Sequence, residues 1–328
     1  MKVDELRTVL NQYDATVLKE IIVALYKKIP KSKKEDDGLD ELLQNYSREK
    51  AKAPVKEKPV DFYTLESDVE QFIEYAAQQY YFAPNQYVRK EKRSKWRFEV
   101  KRFIKELLTV KGEDGEAAAG LLVGIYDMLS YGCNFYIFST DNPFSAVGYA
   151  QTELLQIVLS KIFYNGFDET TVKTAVFLTL DSNVDRVTLH SELLTTLISI
   201  LKTPEAKELA LPQCVEYYNG YDSFQAAKQA FKYTGVSNKY RKERHKNFAV
   251  ELFTKIKFCL YEYDDGIAYF RKHFIENEKE VALYYLLSFL ADYELNDIWI
   301  REYERACASG IKPRDSLQKK YDIRKAKS

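Results

Sequence analysis

The chain has no excess charge of either sign: 49 lysines and arginines face 49 aspartates and glutamates over 328 residues. No global field therefore draws it to nucleic acid or to an anionic membrane, and any electrostatic role has to be local. Cysteine is sparse. Cys133, Cys214, Cys259 and Cys307 stand singly with no CxxC pair, which argues against a disulfide framework or a zinc site and predicts reduced, buried thiols. The start, MKVDELRTVLNQYD, carries acids and no apolar h-region, so no signal peptide is expected. The longest apolar passage, Ala117 to Leu129, is interrupted by Gly120, Gly124 and Asp127 and falls short of the roughly 20 residues a membrane span needs. The expected setting is the cytoplasm.

Glycine (12) and proline (8) are also few, and the segments between them carry apolar residues spaced by three and four. That spacing predicts an all-α protein of about ten to twelve helices joined by short connections, in stacked antiparallel pairs as in a helical array or solenoid-like bundle. Hydrophobic residues make up 46%, with 26 tyrosines and 19 phenylalanines supplying most of the bulk, so a sizeable core is available. Residues 1–46 form a small N-terminal helical segment, broken at Asp14 and striped with Val17, Leu18, Ile21, Ile22 and Leu25. The stretch SREKAKAPVKEKPVD, 47–61, is charged, holds two prolines and reads as a linker. Helical subdomains over 62–220 and 221–310 follow, then a basic C-terminal tail, 311–328.

Local signals place several helix ends. Ser67 with Glu70, Asp222 with Gln225 and Asn277 with Glu280 have capping-box spacing, and Thr203 before Pro204 is a favoured opening. Gly112, Gly132, Gly166, Gly235 and Gly310 fall where helices should stop. One stretch, NFYIFSTDNPF (Asn134 to Phe144), has the composition of a short extended segment before an Asp141-Asn142-Pro143 turn. YVRKEKRSKW followed by GEDGEAAAG is similar to YRKERHKNF followed by YDDGIAYF about 150 residues on, which raises an internal duplication.

Two basic clusters stand out. On a helix, Trp96, Val100, Phe103 and Leu107 share a core face, and Lys95, Glu99, Arg102 and Glu106 alternate in sign beside it. Arg93, Arg97, Lys101 and Lys105 fall at successive i+4 positions with no acid among them, so either acids elsewhere in the fold or an outside anion must offset them. In KYRKERHK, Arg241, Lys242 and Arg244 with His245 crowd the start of a helix, where the dipole disfavours cations and a phosphate would relieve the conflict. Tyr80, Tyr81, Tyr87, Tyr217, Tyr218 and Tyr221 cluster at expected helix ends, either sealing interhelical junctions or anchoring a partner chain.

No catalytic pattern is present: no GxGxxG or GxxxxGK[ST] loop, no GxSxG elbow and no HExxH or ExxH pair. His190, His245 and His273 lie far apart, and the acid groups Glu113, Asp114 and Glu116, or Glu262, Asp264 and Asp265, sit beside Gly115 and Gly266 where acids cap helices. No catalytic residue, cofactor or metal is assigned. The stretch VALYKKIPKSKKEDDGLDELL, Val23 to Leu43, resembles the N-terminal region of an uncharacterised all-helical protein family of Gram-positive bacteria. That resemblance is confined to those residues and implies no activity. The leading expectation is a non-enzymatic scaffold or protein-interaction module whose partner is another protein or peptide. Binding of nucleic acid or phosphate by the basic helix faces is the alternative, and an enzyme requires His and carboxylate or thiol groups to converge on one pocket.

Overall fold

The computed structural model describes residues 6, 9–30, 33–34, 39–40, 43, 61–82, 95–228 and 238–326. Among them are fourteen α-helices, more than the ten to twelve expected, and no strand, in agreement with the all-α expectation. No described helix is long and apolar enough to cross a membrane. The chain divides into two units, Met1–Pro59 and Val60–Ser328.

In the first unit α1 spans Ala15–Lys28. Asp14 opens it, its carboxylate accepting from the backbone N–H of Thr16 (2.8 Å) and Val17 (2.9 Å), which satisfies two of the orphan donors of the first turn. None of its side chains is buried, and Ile22, Val23 and Leu25 are exposed. The expected linker, 47–61, lies outside the described residues apart from Asp61.

The second unit runs α2 (Phe62–Ala77), α3 (Trp96–Thr109), α4 (Gly115–Gly132), α5 (Pro143–Val147), α6 (Gln151–Ile162), α7 (Glu169–Asp181), α8 (His190–Ile200), α9 (Pro204–Ala227), α10 (Asn238–Cys259), α11 (Tyr263–His273), α12 (Lys279–Asp292), α13 (Asn296–Ala308) and α14 (Asp315–Lys325). Its helices follow their stripes. Trp96, Val100, Phe103 and Leu107 of α3 are all buried, joined by Ile104, and each such side chain gains about 1.5–3 kcal/mol from leaving water. Helices pack on partners one or two places along the chain: α2 and α3 on α4, α4 on α6, α6 on α8, α7 on α9, α9 on α10, α10 on α11, and α12 on α13. Two apolar cores result. The first gathers α2 to α9, the second α11 to α14, and α10 serves both, giving Ala249, Leu252 and Ile256 to one and Val250 and Phe258 to the other.

Several local expectations are corrected. Ser67 lies inside α2, which opens after Asp61, and Asp222 lies inside α9, so neither is a cap. A boundary at 220/221 therefore falls within a continuous 24-residue helix, and Asp222 spends its carboxylate on Lys242 of α10. Thr203 does cap α9, accepting from the N–H of Ala206 (3.2 Å) with Pro204 in the first turn. Asn134–Phe144 forms bends rather than a strand; Asn142 accepts from the N–H of Ser145 (3.1 Å) and Pro143 opens α5. The basic tail is folded: α14 buries Leu317, Tyr321 stacks on Tyr303 (4.5 Å), and Lys325 pairs with Glu304 (2.8 Å).

Candidate ligand-binding cleft

The predicted basic groups scatter. Arg97, Lys101 and Lys105 share the exposed side of α3, whereas Arg93 lies outside the described residues. The second cluster is drawn into the fold. Lys242 pairs with Asp222, Arg241 donates to Asn183 Oδ1 (2.8 Å), and Arg244 lies over the Phe248 ring (5.9 Å). His245, grouped with them in sequence, is fully buried. Asp222 of α9 and Asn183 of the loop after α7 thus take up two of the three cations within the fold.

Most of the tyrosines seal junctions. Tyr217 and Tyr221 are buried in the first core, which leaves their rings no face to offer a partner. The Tyr218 hydroxyl donates to the His273 carbonyl (3.0 Å), and Tyr81 stacks on Phe72 (4.4 Å). Tyr80 differs. It is 71% exposed and stacks on Tyr75 (5.0 Å), near an exposed pair formed by Phe82 and Tyr136 (6.0 Å). Tyr87 lies outside the described residues.

Sequence spacing did not indicate a cleft of about 710 Å³ between α4, α7 and α9. Three helix faces make it. Gly120, Val123, Gly124 and Asp127 recur at helical spacing on α4, Thr170, Lys173, Thr174, Phe177 and Asp181 on α7, and Glu216, Gly220, Ser223 and Phe224 on α9. Helix α7 packs on α9 and α6 on α4, but α4 and α9 make no extensive contact, and their separation is the cleft. Small residues keep it open: a Cβ at Gly120 or Gly220 would meet nothing within 4 Å among the described residues. At Gly124 a Cβ would come within 3.0 Å of Ile73 Cδ1, so of the two α4 glycines Gly124 permits close packing and Gly120 lines open space. Phe177 and Phe224 meet edge to face in the wall (5.2 Å, 84°).

Each wall runs from an open end to a charged floor. At the mouth, Lys173 pairs with Glu216 (2.6 Å), both well exposed. At the floor, Lys228, the residue after α9, puts its ammonium 2.9 and 3.1 Å from the two oxygens of Asp127 and 2.6 Å from Asp181 Oδ2. The other Asp181 oxygen accepts from the Tyr217 hydroxyl (3.1 Å) and from the Gln225 amide. Behind Tyr217, His245 Nδ1 lies 2.8 Å from the Leu180 carbonyl, an acceptor only, which places the proton on Nδ1. Among the described residues the buried His245 Nε2 has no hydrogen-bond partner. Exposure falls from 23% at Asp127 through 14% at Lys228 to 3% at Asp181, so the ion group is progressively dehydrated away from the cleft.

Burial sets the protonation of this group. It holds the Asp127 carboxyl above its usual range in spite of the pull of Lys228, and it keeps His245 well below the ordinary imidazole value, with Arg241 adding to the effect. Tyr217 is pushed well up by burial and by Asp181. A buried loop supports the floor. Asn183 takes its N–H to Ser130 Oγ (2.8 Å), while Gln151 donates to the Asn183 carbonyl (2.7 Å) and accepts from the Asp185 N–H (2.9 Å). Buried backbone is thereby satisfied without secondary structure.

The remaining candidates are structural in their surroundings. His190 stacks on Phe248 (3.4 Å) and His273 on Tyr269 (4.4 Å). Asp264 and Asp265 sit in the first turn of α11 and Glu116 in that of α4, where the dipole favours acids. Among the described residues no group of His, Cys, Asp and Glu is arranged to hold a metal ion. Cys214 is buried, Cys133 and Cys259 are partly so, and Cys307 is exposed, against the expectation that all four are enclosed. No family model matches this sequence, and no curated protein or solved structure matches it. The functional reading therefore rests on geometry.

Proposed function

We propose that this helical protein binds a small organic molecule in the cleft between α4, α7 and α9, with the apolar body of the ligand along Val123, Phe177 and Phe224 and its polar head against Asp127. The carrying observation is the cleft itself: apolar walls, held open by glycines, that end on the half-buried Asp127 and Lys228 and the buried Asp181. Pockets of this size with few convergent polar groups are the usual form of a small-molecule site. Binding without chemistry is the simpler reading, because His245 is enclosed behind Tyr217. The test is a titration with Nile red, an uncharged solvatochromic dye, on the full chain and on Gly120→Leu and Gly220→Leu. Both substitutions place a side chain into the cleft from a position where a Cβ meets nothing. The reading expects saturable fluorescence enhancement that both variants abolish; enhancement unchanged in both refutes it.

A second reading, a protein-interaction module, is favoured by the exposed aromatic patch of Tyr75, Tyr80, Phe82 and Tyr136. Exposed aromatics of this kind are common anchors of interfaces. A photo-crosslinking amino acid at position 80 should then trap one discrete partner in cells, and Tyr136→Ser should remove that adduct. Adducts that survive Tyr136→Ser unchanged contradict it.

A further inference from the structure

The floor of the cleft has spent its donors and kept its acceptors. The Lys228 ammonium is taken up by both oxygens of Asp127 and by Asp181 Oδ2. The Tyr217 hydroxyl and the Gln225 amide N–H both go to Asp181 Oδ1. An ionised carboxylate offers about four lone-pair positions, so Asp127, which lines the cleft, retains acceptor capacity after Lys228 is counted. A head group arriving there meets oxygen lone pairs.

Charge points the same way. Among the lining residues the carboxylates are Asp127, Asp181 and Glu216 and the cations are Lys173 and Lys228, three against two, which leaves one negative charge in excess. Helix α7 ends at Asp181 and α9 just before Lys228, so two helix C-termini, the negative ends of their dipoles, lie at the floor. The wall rings already face cations: Lys173 Nζ lies 5.5 Å from the Phe177 centroid and Lys228 Nζ 5.7 Å from that of Phe224. An anionic head at the floor would face Asp127 and Asp181, while the Lys228 ammonium is already engaged by both.

Resting on the reading of the cleft as a ligand site, we infer that its ligand is an organic ammonium, an amine with an aromatic or alkyl body whose charged head is received by Asp127. The raised pKa of Asp127 agrees with this, because it marks a dehydrated carboxylate that Lys228 compensates only in part. The amine sits beside the floor group, and Lys228 stays with Asp181.

The test uses three indoles of one shape and different charge: tryptamine, tryptophol and indole-3-propionate, titrated calorimetrically into the full chain at pH 7 and low salt. Charge-assisted hydrogen bonds are about twice as strong as neutral ones, so tryptamine should bind at least about tenfold more tightly than tryptophol, with indole-3-propionate weakest. Gly120→Leu should abolish tryptamine binding, and Asp127→Asn should remove the preference for the amine. Tryptophol or indole-3-propionate binding as well as tryptamine, with Gly120→Leu still blocking, overturns the amine and leaves the cleft reading intact. No heat from any of the three, together with a Nile red signal unaffected by Gly120→Leu, overturns both. The order of affinities on the unaltered protein decides the matter even if Asp127→Asn fails to fold.

Discussion

Replacing Lys228 by methionine removes the ammonium that joins Asp127 to Asp181 and keeps most of the apolar stem. Two dehydrated carboxylates are then left facing each other, one 23% and the other 3% exposed. Removing one partner of a buried ion pair costs about 3–5 kcal/mol. Asp181 keeps the Tyr217 hydroxyl and the Gln225 amide, and Asp127 can take up a proton, so the lower end, about 3 kcal/mol, is expected. The pH dependence has a definite sign. Without Lys228 the carboxyl pair binds a proton in the fold at a pH where the unfolded chain is ionised, so the folded state holds more protons and gains stability as pH falls. The cost of Lys228→Met should therefore shrink by up to about 1.4 kcal/mol per pH unit as pH is lowered toward the carboxyl range. Urea unfolding read by tryptophan fluorescence suits the protein, because Trp96 belongs to the first core and Trp299 to the second; Trp299→Phe isolates the signal of the core that Lys228 supports. Adding Asp127→Asn should restore most of the loss. A cost below about 1 kcal/mol, or no recovery in the double variant, refutes the description of this group as a dehydrated, mutually dependent set.

Other outcomes follow from named features. Burial keeps His190 and His245 neutral in the fold, so below about pH 6.5 the unfolded chain takes up protons that the fold does not; stability should fall on acidification by up to about 1.4 kcal/mol per pH unit for each, as urea midpoints from pH 7 to 5.5 will show. Gly120→Ala should raise stability by roughly 0.5–1 kcal/mol, since it improves a helix interior and its methyl meets nothing within 4 Å; a loss would mean the cleft is closed in solution. Deleting residues 311–328 removes Leu317, Tyr321 and Arg324 from over Trp299 and Tyr303 and should lower the midpoint reported by Trp299, whereas a dispensable tail would leave it unmoved. Maleimide labelling of the native protein should modify Cys307 first and leave Cys214 untouched, with Cys133 slow because burial pushes its thiol up to about 12.

Helix faces were legible where a single segment contains its own reason. The α3 stripe and the Thr203 cap act over three or four residues and appear in the structure as read, and the break at Asp14 is the start of α1. Two-residue cap patterns misled at Ser67 and Asp222, because the same pairs occur inside helices whose propensity and packing carry the chain through. The cleft was not legible. Asp127, Asp181 and Lys228 follow one another at intervals of some fifty residues and meet only because the C-terminal ends of α7 and α9 converge beside α4. Gly120 and Gly124 looked alike as a spaced pair, and only the position of α2, with Ile73 on one of them, separates a packing glycine from a lining one. The partners of the basic run around Arg241 were hidden for the same reason. Its compensating groups, Asn183 and Asp222, come from other parts of the chain.

The central claim is that the space beside Gly120 is a binding site, and a thiol placed there can report on it directly. In Gly120→Cys the new side chain projects into the cleft, while native Cys307 on α13 serves as the reference in the same molecule. The measurement is the rate of alkylation at both positions with and without saturating Nile red. The account predicts that the dye slows reaction at position 120 by about tenfold or more, as expected when the binding-competent site is mostly occupied, and leaves Cys307 unchanged. Equal rates at position 120 with and without dye, at concentrations that saturate its fluorescence, would contradict it.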